Sequence, residues 1–213
     1  MLQKEELRIF SATSFMGHGV DRESLERAMD CNLDFVIAQG TTTDAGPYYL
    51  GAGLPVMAEE ALRRDLELII TIAKANSVPF IISAGGCGSD STTALVLELI
   101  EDICTQHHLS LKLGVVWSEV ERDYLLSGLE EGRRAKRIVP HPVLEEYLSA
   151  ENVRQNERIV AQVGPEVIMD LWASNPGLDG IIAGRSLDVG LYAAIPLLHG
   201  FDKGLAMHFG KIM

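Results

Sequence analysis

Five short apolar runs separated by segments with helical spacing constrain the fold of this chain more than any other feature. Each run is rich in Val, Ile or Phe and is short enough to form one buried strand. The runs cover residues 8–13, 34–39, 79–83, 111–118 and 179–183. Strands that alternate with helices form right-handed crossovers and a mainly parallel sheet. We therefore expect an α/β fold, Rossmann-like or flavodoxin-like, with helices on both faces of the sheet.

The segments between the runs carry the signals of helices. In the clearest one, apolar residues recur from Leu62 to Ala73 at helical spacing, so they share one face, and charged residues such as Asp65 are expected mostly on the other. Asp21 is expected to cap a helix over Arg22–Met29, and either Ser89 or Asp90 to cap the helix that follows Gly88.

A stretch from about residue 126 to 150 interrupts this alternation with Gly128, Gly132, Pro140 and Pro142. We interpret it as an irregular excursion from a single α/β domain that spans residues 1–213. It also carries a basic cluster, made of Arg133, Arg134, Lys136 and Arg137. Two interpretations of the excursion stay open, a solvated loop and an anion clamp over a binding site.

Charge and cysteine content exclude several classes of function. Acidic residues number 30 and basic residues 18, a net charge of -12. Nucleic acids and anionic membrane surfaces need a basic footprint, so we expect neither as a partner. The apolar runs are too short to span a bilayer. Three cysteines without a CxxC pair and an N-terminus without a signal-peptide pattern indicate a soluble, cytoplasmic protein.

The polar residues that suggest chemistry follow the ends of the predicted strands. In a parallel sheet, ligands bind beyond the carboxyl ends of the strands, so these residues are expected at one edge. The candidates for ligand binding are Gly17, His18, Thr43, Gly85, Gly86, Ser89, Asp90, Arg185 and Asp188. The candidates for catalysis are Asp44, Glu119 and Cys87. Five of these should surround a common cleft: Gly17, Asp44, Gly86, Glu119 and Arg185.

Arg185 and the glycine turn at 85–88 form the predicted anion site. A planar guanidinium that emerges from a core strand suits two-pronged recognition of a carboxylate. The alternative is a structural ion pair with Asp188 or Glu119. Backbone N–H groups at the helix start could hold a carboxylate or phosphate, or the turn could simply be tight and capped. The turn lacks the third glycine of a dinucleotide site and the lysine of a P-loop, so the cofactor is left open.

Three further hypotheses concern the catalytic candidates. Asp44 is the first candidate for proton transfer, or else shapes its loop as an Asx turn. Cys87, near a helix N-terminus, could be a nucleophile with His18 as its base, or a small residue in a crowded turn. Asp44, Asp90 and Asp188 could bind a divalent cation if they converge, although the sequence has no HxxxH or comparable metal spacing.

Several segments resemble, in order, those of the acyclic terpene utilisation AtuA-like family. The most specific are Asp44-Ala45-Gly46-Pro47-Tyr48-Tyr49-Leu50-Gly51 and Ala183-Gly184-Arg185-Ser186-Leu187-Asp188, and others lie at 16–19, 83–86, 158–164, 200–201 and 211–212. The resemblance implies a role in the catabolism of branched acyclic terpenoids through acyl-CoA intermediates, with companion proteins. Family members usually continue further, so it also implies that this chain is an N-terminal portion.

These observations together predict a protein that binds a small anionic metabolite, a carboxylate or an acyl-CoA type, at the strand ends. We expect it to form a homo-oligomer or to join a companion subunit. Two alternatives belong to other classes: a non-catalytic subunit or scaffold for a partner enzyme, and a divalent-cation-dependent hydrolase or lyase. Whether the protein is itself an enzyme is left open.

Overall fold

In a computed structural model that describes residues 4–213, the chain forms a five-stranded sheet in which every neighbouring pair is parallel. The strands are β1 (Ile9–Ser11), β2 (Phe35–Ala38), β3 (Phe80–Ser83), β4 (Leu113–Val116) and β5 (Gly180–Ala183). Each lies inside one of the predicted runs, and the α/β prediction is confirmed. Residues 1–3, part of the N-terminus considered above for a signal peptide, lie outside the described residues.

The helices follow the capping signals of the sequence. They are α1 (Arg22–Met29), α2 (Pro47–Ala52), α3 (Glu59–Ala75), α4 (Asp90–His107), α5 (Arg122–Glu130), α6 (Ala150–Gln155), α7 (Pro165–Ser174), α8 (Asp188–Leu198) and α9 (Lys203–Ile212). Asp21 caps α1 by accepting from the Ser24 N–H at 2.8 Å. Ser89, and not Asp90, caps α4. No helix within residues 4–213 is long and apolar enough to cross a bilayer.

The strand order β1-β2-β3-β5-β4 determines where the sheet can bind a ligand. Helices α1, α3 and α4 pack on one face, against side chains such as Val36 and Ile82. Helices α7 and α8 pack on the other face, against side chains such as Ile37 and Ile181. The chain therefore leaves β3 toward one face and the neighbouring β5 toward the opposite face. Such a reversal opens a crevice at the carboxyl ends of the two strands.

One prediction for α3 is wrong. Asp65 was expected on the solvent face, but it is fully buried. Its Oδ2 accepts from the N–H groups of Gly17 (2.8 Å) and Gly19 (3.0 Å), and its Oδ1 from Arg64 Nε (2.9 Å). The turn after β1 lies against the first half of α3, so its N–H groups need an acceptor there. Asp65 provides it and ties this turn to the helix.

The excursion begins later than predicted, because α5 continues to Glu130. From 131 to 149 the chain has neither helix nor strand, but backbone hydrogen bonds join its two limbs, from Arg137 to Glu146 (2.7 Å) and from Leu148 to Ala135 (2.9 Å). Its tip is apolar and open to solvent, with Ile138 96% and Val143 82% exposed. The excursion is therefore an arm that projects from the α/β body.

The last helix, α9, covers Lys203–Ile212 at the end of the sequence. Phe209 packs against the core layer of α7 and α8, while Leu205 and Ile212 are exposed. A small apolar groove between α9 and β1 is lined by Leu7, Ile9, Pro196, Phe201, Leu205, Ala206 and Phe209.

We predict that Asp65→Ala lowers the free energy of unfolding by about 2–4 kcal/mol, because two backbone N–H groups lose their acceptor at about 1–3 kcal/mol each. Urea denaturation measures the change. Asp102→Ala is the control, since it removes an exposed aspartate whose ion pair with Arg63 should be worth less than about 1 kcal/mol. Equal losses in the two variants would contradict the assigned role of Asp65.

Candidate functional site

The crevice forms where the backbone segments that follow β2, β3 and β5 approach one another closely. Beyond the sheet, the Gly86 N–H donates to the Gly40 carbonyl (2.7 Å) and the Arg185 N–H to the Gly88 carbonyl (3.2 Å). A Cβ on Gly88, which has φ +74°, would lie 2.5 Å from the Arg185 backbone nitrogen. Only glycine fits at such a separation and such a backbone angle. The glycine turn therefore exists to bring the ends of β3 and β5 together.

This packing uses N–H groups that were predicted to bind an anion. The Gly86 N–H is bonded to Gly40, and the Cys87 N–H donates to the Gly85 carbonyl (2.9 Å). The Ser89 side chain caps α4, where it accepts from the Thr92 N–H. Gly85 is held against Thr92, whose Oγ1 would lie 2.4 Å from an added Cβ. The bonded N–H groups of the turn are therefore structural, and the cationic side chain in the lining of the cavity described next is that of Arg185.

An open cavity of about 340 Å³ lies beyond the ends of β2, β3 and β5. It is lined by Thr42, Thr43, Gly46, Pro47, Leu50, Cys87, Val160, Gln162 and Arg185. Three of the sequence candidates are among them, Thr43, Cys87 and Arg185. Of the five residues expected around one cleft, Arg185 lines this cavity, and the other four do not: Gly17, Asp44, Gly86 and Glu119.

Arg185 is the charged residue of this lining. Its side chain is buried, with 5% of the residue exposed, and its Nη1 has no hydrogen-bond partner within residues 4–213. Over the same residues no carboxylate oxygen lies within 4.0 Å of the guanidinium, so the ion pair with Asp188 or Glu119 is not formed. Burial lowers the pKa of Arg185, and the charges of Asp188 and Asp44 oppose that change. The group stays cationic at any ordinary pH.

Most of the unpaired buried polar atoms lie on residues that follow β2 or β5. Within residues 4–213 they are Thr41 Oγ1, Arg185 Nη1, Ser186 Oγ, Asp188 Oδ1 and His199 Nδ1. All except the His199 atom lie on residues that follow β2 or β5. Burial raises the pKa of Asp188, while the charge of Arg185 lowers it. Since buried polar groups are normally hydrogen-bonded, this concentration indicates a place where a ligand or ordered water completes the bonding.

Asp44 lies at the same edge but is exposed, and it is not part of the lining. Its N–H donates to Thr42 Oγ1 (3.0 Å), so the threonine hydroxyl, and not an Asx turn, shapes this loop. The negative charge of Asp44 raises the pKa of Arg185 and so favours the cationic form of that side chain. Asp44 can therefore influence a ligand held by Arg185 from the mouth of the cavity.

Asp90 and Glu119 are joined by reciprocal hydrogen bonds between their backbones and carboxylates, an arrangement that we call the lock. Glu119 Oε1 accepts from the Asp90 N–H (3.0 Å), and Asp90 Oδ1 accepts from the N–H groups of Ser118 (3.0 Å) and Glu119 (3.1 Å). Glu119 also lies 3.5 Å from Arg158 Nε. Both carboxylates thus fasten the start of α4 to the chain after β4. These contacts give both residues structural roles, and the predicted catalytic role of Glu119 and ligand-binding role of Asp90 stay predictions.

The predicted pair of Cys87 and His18 does not form. Cys87 is 6% exposed, and its Sγ lies near Ser89 Oγ (3.4 Å), Thr92 Oγ1 (3.6 Å) and the Leu54 carbonyl (3.7 Å). His18 is exposed, and its ring stacks at an angle on Phe15. Cys87 therefore contacts hydroxyls and a carbonyl, and no imidazole lies beside it to act as a base.

The three aspartates of the cation hypothesis are not brought together. Within residues 4–213 there is no group of three or more His, Cys, Asp or Glu side chains that could hold a metal ion. Asp90 Oδ1 already accepts hydrogen bonds from two backbone N–H groups, as described above. The basic cluster of the arm contributes none of its members to the cavity, since Arg133 pairs with Glu131 and Lys136 with Glu146.

Sequence reasoning missed one wall of the cavity. Residues 159–163 run extended between the ends of β4 and β5, with bonds from the Ala161 N–H to the Ser118 carbonyl (2.8 Å) and from the Val163 N–H to the Arg185 carbonyl (3.1 Å). This brings Val160 and Gln162 to the cavity. Neither follows a predicted strand, so a search of strand ends could not find them. The available signal was that 158–164 is one of the segments that carry the family resemblance.

No family model matches this chain, and no curated protein or solved structure matches it. Its function is therefore inferred from the side chains of the cavity and from the chemistry that they can perform.

We predict that Asp90→Ala and Glu119→Ala each lower the free energy of unfolding by about 1–3 kcal/mol, because each leaves N–H groups without an acceptor. The double variant should lose less than the sum, by about 1 kcal/mol, since the two side chains belong to one network. Urea denaturation of the four proteins measures this coupling. Glu119→Gln keeps an acceptor oxygen and should retain most of the stability.

A catalytic Glu119 would behave differently. In that case Glu119→Ala would leave the free energy of unfolding unchanged, and the coupling with Asp90 would vanish.

We further predict that iodoacetamide alkylates Cys31 well before Cys87 in the folded protein, because Cys31 is exposed and Cys87 is buried among hydroxyls. Mass spectrometry of peptides over a time course gives the order, and the unfolded protein is the control in which the two thiols should react alike. Faster alkylation of Cys87 would reinstate it as an activated nucleophile.

Proposed function

We propose that this protein binds a small anionic metabolite, a free carboxylate or an acyl-CoA type, in the cavity at the carboxyl ends of β2, β3 and β5. Arg185 would hold the anionic group. The observation that carries the proposal is a guanidinium that is buried, lines the cavity and has an Nη1 without a protein partner. A buried charge is costly unless it is paired, and a bound carboxylate would supply the missing partner.

The electrostatics of the chain support the same conclusion. With a net charge of -12, the protein repels anions over most of its surface, so an anion needs a local cation to bind. Arg185 provides it within the cavity. Pro47, Leu50 and Val160 offer apolar surface beside it, which suits the hydrocarbon part of a branched acid. A polar anchor inside an apolar lining is the usual composition of a small-molecule site.

We also propose the metabolic setting that the AtuA-like resemblance implies, namely the catabolism of branched acyclic terpenoids. Three segments that carry the resemblance also contribute to the cavity. Residues 44–51 supply Pro47 and Leu50, residues 158–164 supply Val160 and Gln162, and residues 183–188 supply Arg185. A cytoplasmic location and assembly with a second copy or a companion protein belong to the same proposal. Asp44, at the mouth of the cavity, is the candidate for proton transfer.

The arm supports a second candidate, a non-catalytic subunit that docks on a partner enzyme. Ile138, Val139, Val143 and Leu144 are exposed together at its tip, and exposed apolar clusters of this kind mark interaction sites. Co-purification with and without residues 138–144 replaced by a polar linker tests this candidate independently of ligand binding.

We predict that Arg185→Lys weakens the binding of 3-methylbutanoate about thirtyfold, or about 2 kcal/mol, because an ammonium replaces a two-pronged planar donor. Arg185→Met should abolish binding and also stabilise the unliganded protein by about 1–3 kcal/mol, since it removes an unpaired buried polar group. At about 2–4 °C per kcal/mol, the melting temperature should rise by several degrees. Calorimetric titration and thermal unfolding measure the two effects.

The control is Arg22→Met, which removes an exposed arginine on α1 that pairs with Glu26 and does not line the cavity, and it should leave binding unchanged. A lower melting temperature for Arg185→Met with unchanged affinity for the carboxylate would refute the proposed role of Arg185.

A further inference from the structure

We propose that the arm is the surface through which two copies of this chain bind each other. The first limb of each arm would lie against the second limb of the other, with the two tips side by side. The first limb is residues 133–137, the tip 138–144 and the second limb 145–148. This inference goes beyond ligand binding in the cavity, and it commits to one of the partners that the proposed function leaves open.

The first step is the apolar surface of the tip. Every residue from 131 to 147 is exposed, so the tip packs against no part of the α/β body. Its large apolar side chains are Ile138, Val139, Val143 and Leu144. Exposed apolar side chains that lie together in this way mark an interaction surface.

The second step is that the tip already has a fixed shape. Pro140 and Pro142 each fix one backbone angle, and the Val143 N–H donates to His141 Nδ1 (3.3 Å). Binding through the tip therefore costs less conformational entropy than binding through a flexible loop. A two-stranded ribbon on its own is marginally stable in water, so a partner that stacks on the arm also stabilises the pairing of its limbs.

The third step is that the charge of the arm differs from that of the whole chain. The net charge of -12 makes two copies repel each other over most of their surface. Within residues 131–149, however, four basic residues outnumber three acidic ones. Two copies can therefore meet at their arms without the repulsion that acts between their bodies. An anionic membrane is a poorer partner for the tip, because the chain as a whole repels it.

The fourth step is that the arm complements a second copy of itself. The first limb is basic and the second limb is acidic, with Glu145 and Glu146. Within residues 4–213, no carboxylate lies within 4.0 Å of the Arg134 or Arg137 guanidinium, and no cationic nitrogen within 4.0 Å of the Glu145 carboxylate. These charges are exposed and are free to pair across an interface.

Two-fold symmetry, the commonest symmetry of homodimers, converts this complementarity into one arrangement. When two arms stack and point the same way, the axis between them places the first limb of each against the second limb of the other. The same axis brings the two apolar tips to one end. Arms that stack and point in opposite directions would place each basic limb against a basic limb. The charges therefore select the first arrangement.

Sedimentation velocity of the whole chain from micromolar to submillimolar concentration tests the interface. We expect a dimer that Ile138→Ser combined with Val143→Ser weakens about tenfold or more, because apolar anchors are removed from its centre. The matched control is Ile212→Ser, which replaces an exposed isoleucine of α9 and should leave the dimer unchanged.

Charge reversal tests the arrangement of the limbs. One variant carries Arg134→Glu and Arg137→Glu, and the other carries Glu145→Lys and Glu146→Lys. Each alone should be monomeric, because limbs of like charge then face each other. A mixture of the two should form a heterodimer, because every facing pair of limbs is again opposite in charge. Misfolding cannot produce this rescue, and thermal unfolding of each variant verifies its fold beforehand.

Three results would overturn the inference. The first is a chain that stays monomeric at submillimolar concentration, and its sedimentation with vesicles of phosphatidylcholine and phosphatidylserine would then assign the tip to a membrane. The second is a dimer that Ile212→Ser disrupts and the tip variant does not. The third is a mixture of the two charge variants that stays monomeric. None of them bears on carboxylate binding, which the Arg185 variants test separately.

Discussion

The contact between Gly88 and Arg185 is the constraint on which the site depends. Strands β3 and β5 send their chains to opposite faces of the sheet, so their ends would diverge immediately after Ser83 and Ala183. The bond from the Arg185 N–H to the Gly88 carbonyl keeps them together for several residues, and it requires a residue without a side chain at 88. Because the backbone is fixed in this way, the Arg185 side chain leaves the sheet into the cavity and not into either core layer.

The cost of this arrangement is a set of polar atoms that the protein does not satisfy. Stable cores leave few such groups, and here most of those within residues 4–213 lie on residues that follow β2 or β5. The charges of Asp188 and Asp44 reduce the free-energy cost of burying the Arg185 charge, although neither residue forms an ion pair with it. A direct ion pair would stabilise the fold more, but it would also occupy the guanidinium. The separation of these charges leaves the Arg185 guanidinium without an ion-pair partner within residues 4–213.

The sequence was sufficient where a local pattern determines the structure and insufficient where a distant partner does. The apolar runs located the five strands, and Asp21 marked the start of α1, because these signals act within a few residues. Arg185 was found because it directly follows a strand. Asp65 was misplaced because helical periodicity assigns a face to a residue but does not reveal that a turn 46–48 residues earlier covers it. The lock between Asp90 and Glu119 depends on a partner 29 residues away, which no spacing rule indicates.

The two sides of the cavity differ in how they are held, and the hydrogen bonds between Asp90 and Glu119 act on one of them. One side is the end of β5 with the buried Arg185, which belongs to the core. The other side is made of α2 and residues 159–163, which lack a core of their own. Arg158 connects these two segments, since its Nη1 donates to the Gly51 carbonyl (2.5 Å) while its Nε lies near Glu119. Glu119 is in turn fixed by the start of α4, so a chain of contacts from Asp90 through Glu119 and Arg158 to Gly51 positions the softer wall opposite Arg185. Under the proposed function, Glu119, the catalytic candidate, and Asp90, the ligand-binding candidate, would therefore act on binding indirectly, by setting the width of the cavity.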